Sequence, residues 1–191
     1  MSGWERKSDR EIWEASGSEP DGFGEIFLRH SGAVYAYCAR LTADLSLAED
    51  LTSVVFLQAW SRRGQVRLDH DSALPWLLGV ALQVSRNARR SLRRYRAALT
   101  RMPAADPEPD LAERVTERLS AERQLCAALD VLQSLPARER DVVGMVLWAG
   151  LSYDQAAVAL GVPVGTVRSR LSRARSRIRD HTVQPELRLQ D

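Results

Sequence analysis

The stretch from Leu151 to Arg179 constrains this chain more than any other, because its local signals predict two helices joined by a tight turn. Ser152 followed three residues later by Gln155 is a capping-box pattern, which indicates a helix start. Gly161 suits the left-handed conformation at a helix end, and Pro163 suits the first turn of the next helix. The sequence therefore predicts a short helix, a glycine turn and a second helix.

The second predicted helix carries one apolar seam and an arginine-rich remainder. Its apolar residues recur at three- and four-residue spacing: Val164, Val167, Leu171, Ala174 and Ile178. Its arginines are Arg168, Arg170, Arg173, Arg175, Arg177 and Arg179. This pattern is typical of a helix-turn-helix whose second helix enters the DNA major groove. The alternative is an amphipathic helix whose arginines form only a solvated face, but the capped first helix, the glycine turn and the proline favour DNA binding.

Charge is distributed unevenly along the chain. The net charge is only +2 over 191 residues. Residues 72–105 nevertheless hold seven arginines and no acid, and residues 162–180 hold six arginines and one acid. Two basic segments in a nearly neutral chain predict two separate contacts with a polyanion.

The rest of the chain has helical periodicity and almost no strand signal, which predicts an all-α fold. Ser8 and Glu11 form a capping box at the start of a short first helix. A long amphipathic helix is predicted over residues 23–41, with an inner face marked by Phe23, Ile26, Phe27, His30, Val34, Tyr37, Cys38 and Leu41. Cys38 and Cys126 lie far apart among apolar neighbours, so both are expected to be buried thiols.

The third predicted helix begins at Ser46, where Ser46 and Glu49 repeat the capping-box pattern. It is apolar on more than one side as far as Trp60, so it either lies centrally in a bundle or offers one face to a partner. Glu49 and Asp50 near its start also suit the positive end of a helix without any partner.

A polar loop over residues 62–73 precedes a fourth helix, which Pro75 opens. The residues of this helix that are expected to face inward are Leu77, Leu78, Ala81, Leu82, Ser85, Ala88 and Leu92. Arginines lie along its other side: Arg86, Arg89, Arg90, Arg93, Arg94 and Arg96. A basic helix beside a polar loop fits a phosphate backbone with unstacked bases. A calmodulin-target or membrane-surface helix has the same pattern in isolation.

Residues 101–110 contain three prolines and three acids and predict an exposed linker. Further helices are predicted from Leu111 to Leu132 and from Pro136 to Gly150, before the helix-turn-helix. We therefore expect two helical domains joined by a flexible linker. The expected organisation is a first domain over 1–98, a linker over 99–113, a second domain over 114–181 and a tail over 182–191.

Several classes of function lack their motifs in this sequence. There is no CxxC, clustered histidine, glycine-rich phosphate loop or nucleophile–base motif, so we expect no metal, no cofactor and no enzymatic activity. No segment is long and apolar enough to span a membrane, and the N-terminus lacks the apolar core of a signal peptide. We therefore expect a cytoplasmic protein without membrane contact.

These residues together resemble the extracytoplasmic-function (ECF, group 4) sigma factors of bacterial RNA polymerase, over almost the whole chain. The likeness is carried by LAEDLTSVVFLQAW (47–60), PWLLGVALQVSRNARRSLRR (75–94), residues 132–175 and the acidic, proline-bearing linker. The resemblance implies that the first domain is sigma region 2 and the second is sigma region 4. Region 2 would bind the clamp helices of the largest subunit of core RNA polymerase, and recognise and melt the −10 element. Region 4 would bind the −35 element and the flap of the second large subunit.

The resemblance also assigns residues. Core polymerase binding is expected at Glu49, Asp50, Ser53, Phe56, Leu57 and Trp60. Binding of −10 DNA is expected at Gln83, Arg86, Asn87 and Arg90, with help from the 62–73 loop. Binding of −35 DNA is expected at Thr166, Arg168, Ser169, Arg170, Ser172 and Arg173. An anti-sigma factor is the family's common regulator and is expected as a further partner, although no motif here points to one.

Three places depart from the family pattern. Ser53 and Val54 stand where a Gln-Glu pair is usual, Gln83 stands where an asparagine helps to hold an extruded base, and Ser172 replaces a larger residue of some relatives. The competing interpretation is a helix-turn-helix regulator that acts without polymerase, such as a dimeric repressor on a palindromic site. The basic fourth helix and the apolar 47–60 segment have no role in such a protein.

Overall fold

A computed structural model of the chain describes residues 4, 6–17, 19, 21–99 and 134–187. Within these residues all regular structure is helical, which confirms the predicted all-α class. The helices are α1 (Asp9–Ala15), α2 (Asp21–Thr42), α3 (Leu45–Arg62), α4 (Leu74–Leu99), α5 (Ala137–Val143), α6 (Tyr153–Leu160) and α7 (Val164–Leu187). A π-helical turn over Gly144–Trp148 continues α5. The linker, the predicted helix from Leu111 to Leu132 and Cys126 lie outside the described residues.

Two predicted capping boxes are confirmed. The Ser8 hydroxyl accepts a hydrogen bond from the Glu11 amide, and the Ser8 amide donates to the Glu11 carboxylate at 2.7 Å. Ser152 and Gln155 make the same reciprocal pair at the start of α6. Gly161 ends α6 with φ 62°, in the left-handed region where glycine has no Cβ penalty.

The prediction for the start of α3 was wrong. The helix begins at Leu45 rather than Ser46, and the Asp44 carboxylate accepts the amide hydrogen bond of Leu47 at 3.0 Å. Aspartate and serine are both good N-caps, so the sequence offered two candidates within three residues. Asp44 takes the position because the tight turn before it, with Ala43 at φ 55°, sets the helix start there.

Helices α1 to α4 form the first helical unit, which we call unit A. Most of the predicted inner face of α2 is buried: Phe23, Ile26, Val34, Tyr37 and Cys38. Aromatic rings fill the centre, with Trp13 lying 5.2 Å from Trp76 and Phe23 lying 5.2 Å from Trp60 between centroids. Phe27 differs from the prediction because 42% of it remains exposed at the edge of this cluster.

Helices α5 to α7 form the second unit, unit B. The predicted apolar seam of α7 is buried at its centre, with Val167, Leu171 and Ala174 all at most 1% exposed. Glu139 of α5 is also buried, and its carboxylate lies 3.1 Å from the guanidinium of Arg177. The Arg177 side chain remains 54% exposed, so the buried apolar seam, more than this ion pair, holds α7 against α5.

The two units pack against each other in a contact that the sequence did not reveal. Gly79 of α4 lies so close to α6 that a Cβ built on it would be 2.6 Å from the carbonyl oxygen of Ala159. Arg86 of α4 is paired with Asp141 of α5, and Arg40 of α2 donates to the carbonyl oxygen of Trp148 at 3.0 Å. We call this arrangement the A–B contact.

Candidate nucleic-acid interface

The predicted −35 residues lie on the first half of α7, and most of them face solvent. Arg168, Ser172 and Arg173 are exposed, and Thr166 is half-buried. The Ser169 hydroxyl donates to the carbonyl oxygen of Thr166 at 3.1 Å, which keeps this side chain close to the helix. Short serine side chains beside exposed guanidinium groups let a DNA backbone approach α7 closely.

Two of the α7 arginines have contacts within the protein. The Arg173 guanidinium lies 3.7 Å from the Glu139 carboxylate, with 61% of its side chain exposed, so this pair is largely solvated and weak. The Arg168 guanidinium lies 5.9 Å from the ring centroid of Tyr153, at the outer limit of a cation–π contact. Neither contact occupies the guanidinium fully, so both groups remain accessible to a ligand.

The predicted −10 residues of α4 lie on one face of that helix, because positions 83, 86, 87 and 90 follow helical spacing. Gln83, Arg86, Asn87 and Arg90 all line one open cavity of about 760 Å³. Its opposite wall comes from unit B and includes Arg138, Asp141 and Arg170. The A–B contact therefore brings Arg170, a predicted −35 residue, to the same cavity as the predicted −10 residues.

The electrostatics of this region are dominated by arginine. A second cavity of about 310 Å³ is lined by five arginines and Asp141: Arg86, Arg89, Arg90, Arg93 and Arg140. Burial raises the pKa of the Asp141 carboxyl above its ordinary value, and the charge of Arg86 offsets only part of that effect. Burial and the neighbouring charges of Arg89 and Arg93 lower the pKa of Arg140. Such an excess of like charge is suited to an anionic partner.

The loop between α3 and α4 is the other predicted −10 element. Gln65, Arg67, Asp69 and Asp71 are exposed along it, whereas Leu68 is buried against unit A. Its carbonyl oxygens at Val66 and Asp69 accept hydrogen bonds from α1 side chains, which hold the loop against that helix.

The predicted polymerase residues on α3 fall into two groups. Glu49, Asp50, Ser53 and Leu57 are exposed, and Leu57 exposes 67% of its surface. Trp60 is half-buried, with the Arg63 guanidinium 3.5 Å above its ring. An exposed leucine on the same helix as two exposed carboxylates is a surface suited to a protein partner.

Phe56 requires a correction. It is only 5% exposed, and its ring packs 4.8 Å from Phe27 and 6.4 Å from Phe23, so it is a core residue that supports α3 from beneath. Sequence reasoning also missed Phe27 and Leu28 of α2, which expose 42% and 74% of their surface. Phe27 was predicted to face inward, since helical periodicity cannot distinguish the rim of a core from its centre.

The described residues also contain neither a cluster of metal ligands nor a membrane-spanning helix. Among the described residues, no three His, Cys, Asp or Glu side chains come together as a metal site would require. In the same part of the chain, no helix combines the length and apolarity needed to cross a bilayer. Burial raises the pKa of Cys38, the described cysteine, as expected for an inert thiol.

Comparison with known proteins agrees with this geometry, in which two helical units each carry exposed arginines. Residues 26–95 match the family model for Sigma-70 region 2, and residues 127–178 match the model for Sigma-70, region 4. The chain is 31% identical to the ECF RNA polymerase sigma factor SigE of Mycolicibacterium smegmatis, over 94% of this chain and 71% of that protein. It is 32% identical to the probable RNA polymerase sigma factor RfaY of Xanthomonas campestris, over 91% of this chain but only 44% of that protein.

A solved structure shares the fold. The sigma factor RpoE of Bartonella quintana, solved in complex with the anti-sigma factor NepR, matches 84% of this chain and 96% of that one with a TM-score of 0.56 and 23% identity. The chain belongs to the ECF sigma factors of RNA polymerase. It is thus an initiation factor that binds core RNA polymerase and directs it to promoters, rather than a regulator that acts alone.

Proposed function

We propose that the two arginine-bearing faces bind one promoter at two places. The observation that carries this proposal is that α4 and α7, in separate units, each carry exposed arginines beside their buried apolar residues. Phosphate contacts from these arginines supply affinity, and they make DNA binding weaken as salt rises, because each contact releases condensed counterions. The protein acts in the cytoplasm with the polymerase, through binding rather than covalent chemistry.

The upstream contact is assigned to α7. Arg168 and Arg173 are exposed and only weakly engaged within the protein, so they can reach guanine edges or phosphates. The other proposed −35 residues are Thr166, Ser169, Arg170 and Ser172. Because the hydroxyl side chains are short, α7 can enter the major groove deeply enough for the arginines to hydrogen-bond base edges.

The downstream contact is assigned to the α4 face and to the loop before it. Gln83 carries an exposed amide that can hydrogen-bond an unpaired base, and Arg86, Asn87 and Arg90 continue the same face toward the phosphate backbone. The loop lies beside the start of α4, where it is placed to receive a base extruded during melting.

This assignment requires unit B to move away from α4 before −10 DNA binds. In the A–B contact the four α4 residues face Asp141 and Arg170, and Arg86 is paired with Asp141. Unit B forms the opposite wall of the cavity over that face, so a duplex cannot lie along α4 until the units separate. Binding of core polymerase, which engages both units, supplies the free energy for opening.

The polymerase contact is assigned to Glu49, Asp50, Ser53, Leu57 and Trp60 of α3, with the clamp helices of the largest subunit as partner. Leu57 is the exposed apolar residue of this surface, and the two carboxylates lie about two helical turns before it on α3. Phe56 is left out because it is buried. Unit B contacts the flap of the second large subunit.

An anti-sigma factor is proposed as a further partner. The support is the sigma factor RpoE of Bartonella quintana, whose solved structure contains the anti-sigma factor NepR. Such a partner would compete with polymerase for the exposed surfaces of both units.

The test of the function is assembly with core polymerase. Purified protein is mixed with core enzyme and run on a native gel, and separately with duplex DNA alone. We expect stable comigration with core polymerase and only weak, salt-sensitive binding to duplex DNA in its absence. Tight binding to DNA alone, without comigration, would establish a polymerase-independent regulator instead.

A further inference from the structure

Helix α1 makes a set of hydrogen bonds to the loop between α3 and α4, which is over fifty residues away in sequence. The Trp13 indole nitrogen donates to the carbonyl oxygen of Val66 at 3.0 Å. The Arg10 guanidinium donates to the carbonyl oxygen of Asp69 at 2.9 Å, and the Arg10 amide donates to the carbonyl oxygen of Asp71 at 3.3 Å. These bonds hold the loop backbone at three successive places.

The end of the loop is held by a buried carboxylate from the same helix. Asp9 is 6% exposed, and its carboxylate accepts the amide hydrogen bond of Ala73 at 2.9 Å. Arg29 donates to the same carboxylate at 3.0 Å, and the His30 ring nitrogen lies 2.5 Å from it. Burial alone would raise the pKa of Asp9, but the contacts with His30, Ala73 and Arg29 outweigh burial and hold it well below the ordinary value. The Asp9 carboxylate therefore stays charged, and its oxygen can accept the hydrogen bond from the Ala73 amide at the end of the loop.

The loop has few other means of holding its shape. Between Arg63 and Ala73 there is no regular helix, and only Leu68 and Ala73 of this stretch are buried. Arg63 adds one more bond to the end of α1, donating to the carbonyl oxygen of Ser16 at 3.1 Å. Because a loop of this length has many alternative conformations, its geometry depends on these external partners.

We propose that α1 is a positioning element for −10 recognition, in which Arg10 and Trp13 fix the α3–α4 loop in the shape that receives the extruded base. This inference rests on the proposed role of the loop itself. Neither residue contacts the base; each acts through the loop carbonyl to which it donates. Preorganisation of this kind lowers the ordering cost at the moment of binding, so its loss reduces discrimination between bases.

The test compares variants of the full chain assembled with core polymerase. Arg10→Ala removes the bond to Asp69 together with the exposed 3.6 Å ion pair to the Asp71 carboxylate, which is weak. Trp13→Phe removes the bond to Val66 while keeping an aromatic ring in the core. Arg10→Lys retains a donor at the same place. Glu14→Ala is the matched control, because Glu14 is an exposed residue of the same helix without a contact to the loop among those described.

The readout is a ratio of affinities. Fork-junction DNA is made from a promoter that the wild-type holoenzyme transcribes in vitro, with the original −10 sequence or with one base changed at a time. Partial unfolding lowers both affinities equally and leaves their ratio unchanged. We expect Arg10→Ala and Trp13→Phe each to lower the discrimination at one −10 position about three- to tenfold, the range for losing one net hydrogen bond. Arg10→Lys is expected to restore most of it, and Glu14→Ala to match wild type.

A variant of the loop itself distinguishes a positioning role of α1 from the proposed role of the loop in −10 recognition. Gln65→Ala combined with Arg67→Ala removes exposed side chains of the loop itself. If this variant loses discrimination while the Arg10 and Trp13 variants keep it, α1 has no positioning role and the loop still reads the −10 element. If the loop variant also keeps full discrimination, the proposed reading by the loop is wrong, and the inference about α1 is wrong with it.

Discussion

The A–B contact can be tested by adding one methyl group. In Gly79→Ala the new Cβ would lie 2.6 Å from the carbonyl oxygen of Ala159. Non-bonded heavy atoms of this kind approach to about 3.5 Å, so the helices must separate by roughly 1 Å. The clash involves backbone atoms on the α6 side and cannot be relieved by rotating a side chain.

The expected shift in the equilibrium between packed and separated units follows from two opposing effects. Alanine favours a helix over glycine by about 1 kcal/mol, and this gain applies to unit A whether or not unit B is packed on it. Overpacking costs about 1–3 kcal/mol, and it applies only when the units are in contact. The substitution therefore shifts the equilibrium toward separated units by about 5- to 150-fold, without destabilising unit A.

The assay measures the distance between the units. Spin labels are placed at Leu28 and Ser172, which are exposed and lie in different units, after the native cysteines are replaced by serine. The distance distribution of Gly79→Ala is expected to broaden and move to longer distances. Gly32→Ala is the control, because it is the same change in a helix where an added Cβ meets nothing within 4 Å. If both variants give the wild-type distribution, the A–B contact as described does not form in solution.

Three further substitutions test the proposed contacts. Arg168→Ala with Arg173→Ala should weaken binding of holoenzyme to −35 DNA about tenfold or more, since each well-placed arginine contributes about 1–3 kcal/mol; comigration with core polymerase should persist, and loss of both would contradict the assignment of α7. Asp50→Arg should weaken association with core polymerase about tenfold or more in competition with wild type, and an unchanged affinity would remove this residue from the interface. Gln83→Asn should change the −10 base preference in transcription by about 1–3 kcal/mol at an unaltered melting temperature, and the same promoter profile would refute a base-reading role.

Local features of the fold were readable from the sequence. The capping boxes at Ser8 and Ser152 and the left-handed Gly161 each depend on residues within one turn, so their signals depend little on long-range packing. The predicted start of α3 was wrong because Asp44 and Ser46, two residues apart, are both suitable N-caps. The π-helical turn at Gly144–Trp148 could not be predicted, since one inserted residue leaves no mark on the hydrophobic period.

Long-range features could not be read in this way. The pairing of Arg86 with Asp141 and the close approach at Gly79 join elements more than fifty residues apart, and no sequence period records them. For the same reason the hydrogen bonds from α1 to the loop went unforeseen, although Trp13 and Arg10 were visible as residues of a short helix. Phe56 was assigned wrongly for a different reason. A helix that is apolar on several sides contains both core residues and residues available to a partner, and the sequence pattern does not distinguish them.

The central claim is that one chain reads two promoter elements on behalf of a polymerase that otherwise lacks a start site. Run-off transcription with purified core polymerase across fragments of the source genome, with start sites mapped, tests it most directly. We expect discrete start sites that share two upstream sequence elements at constant spacing and vanish when the protein is omitted. A holoenzyme that assembles but yields the same transcripts as core polymerase alone would contradict the account.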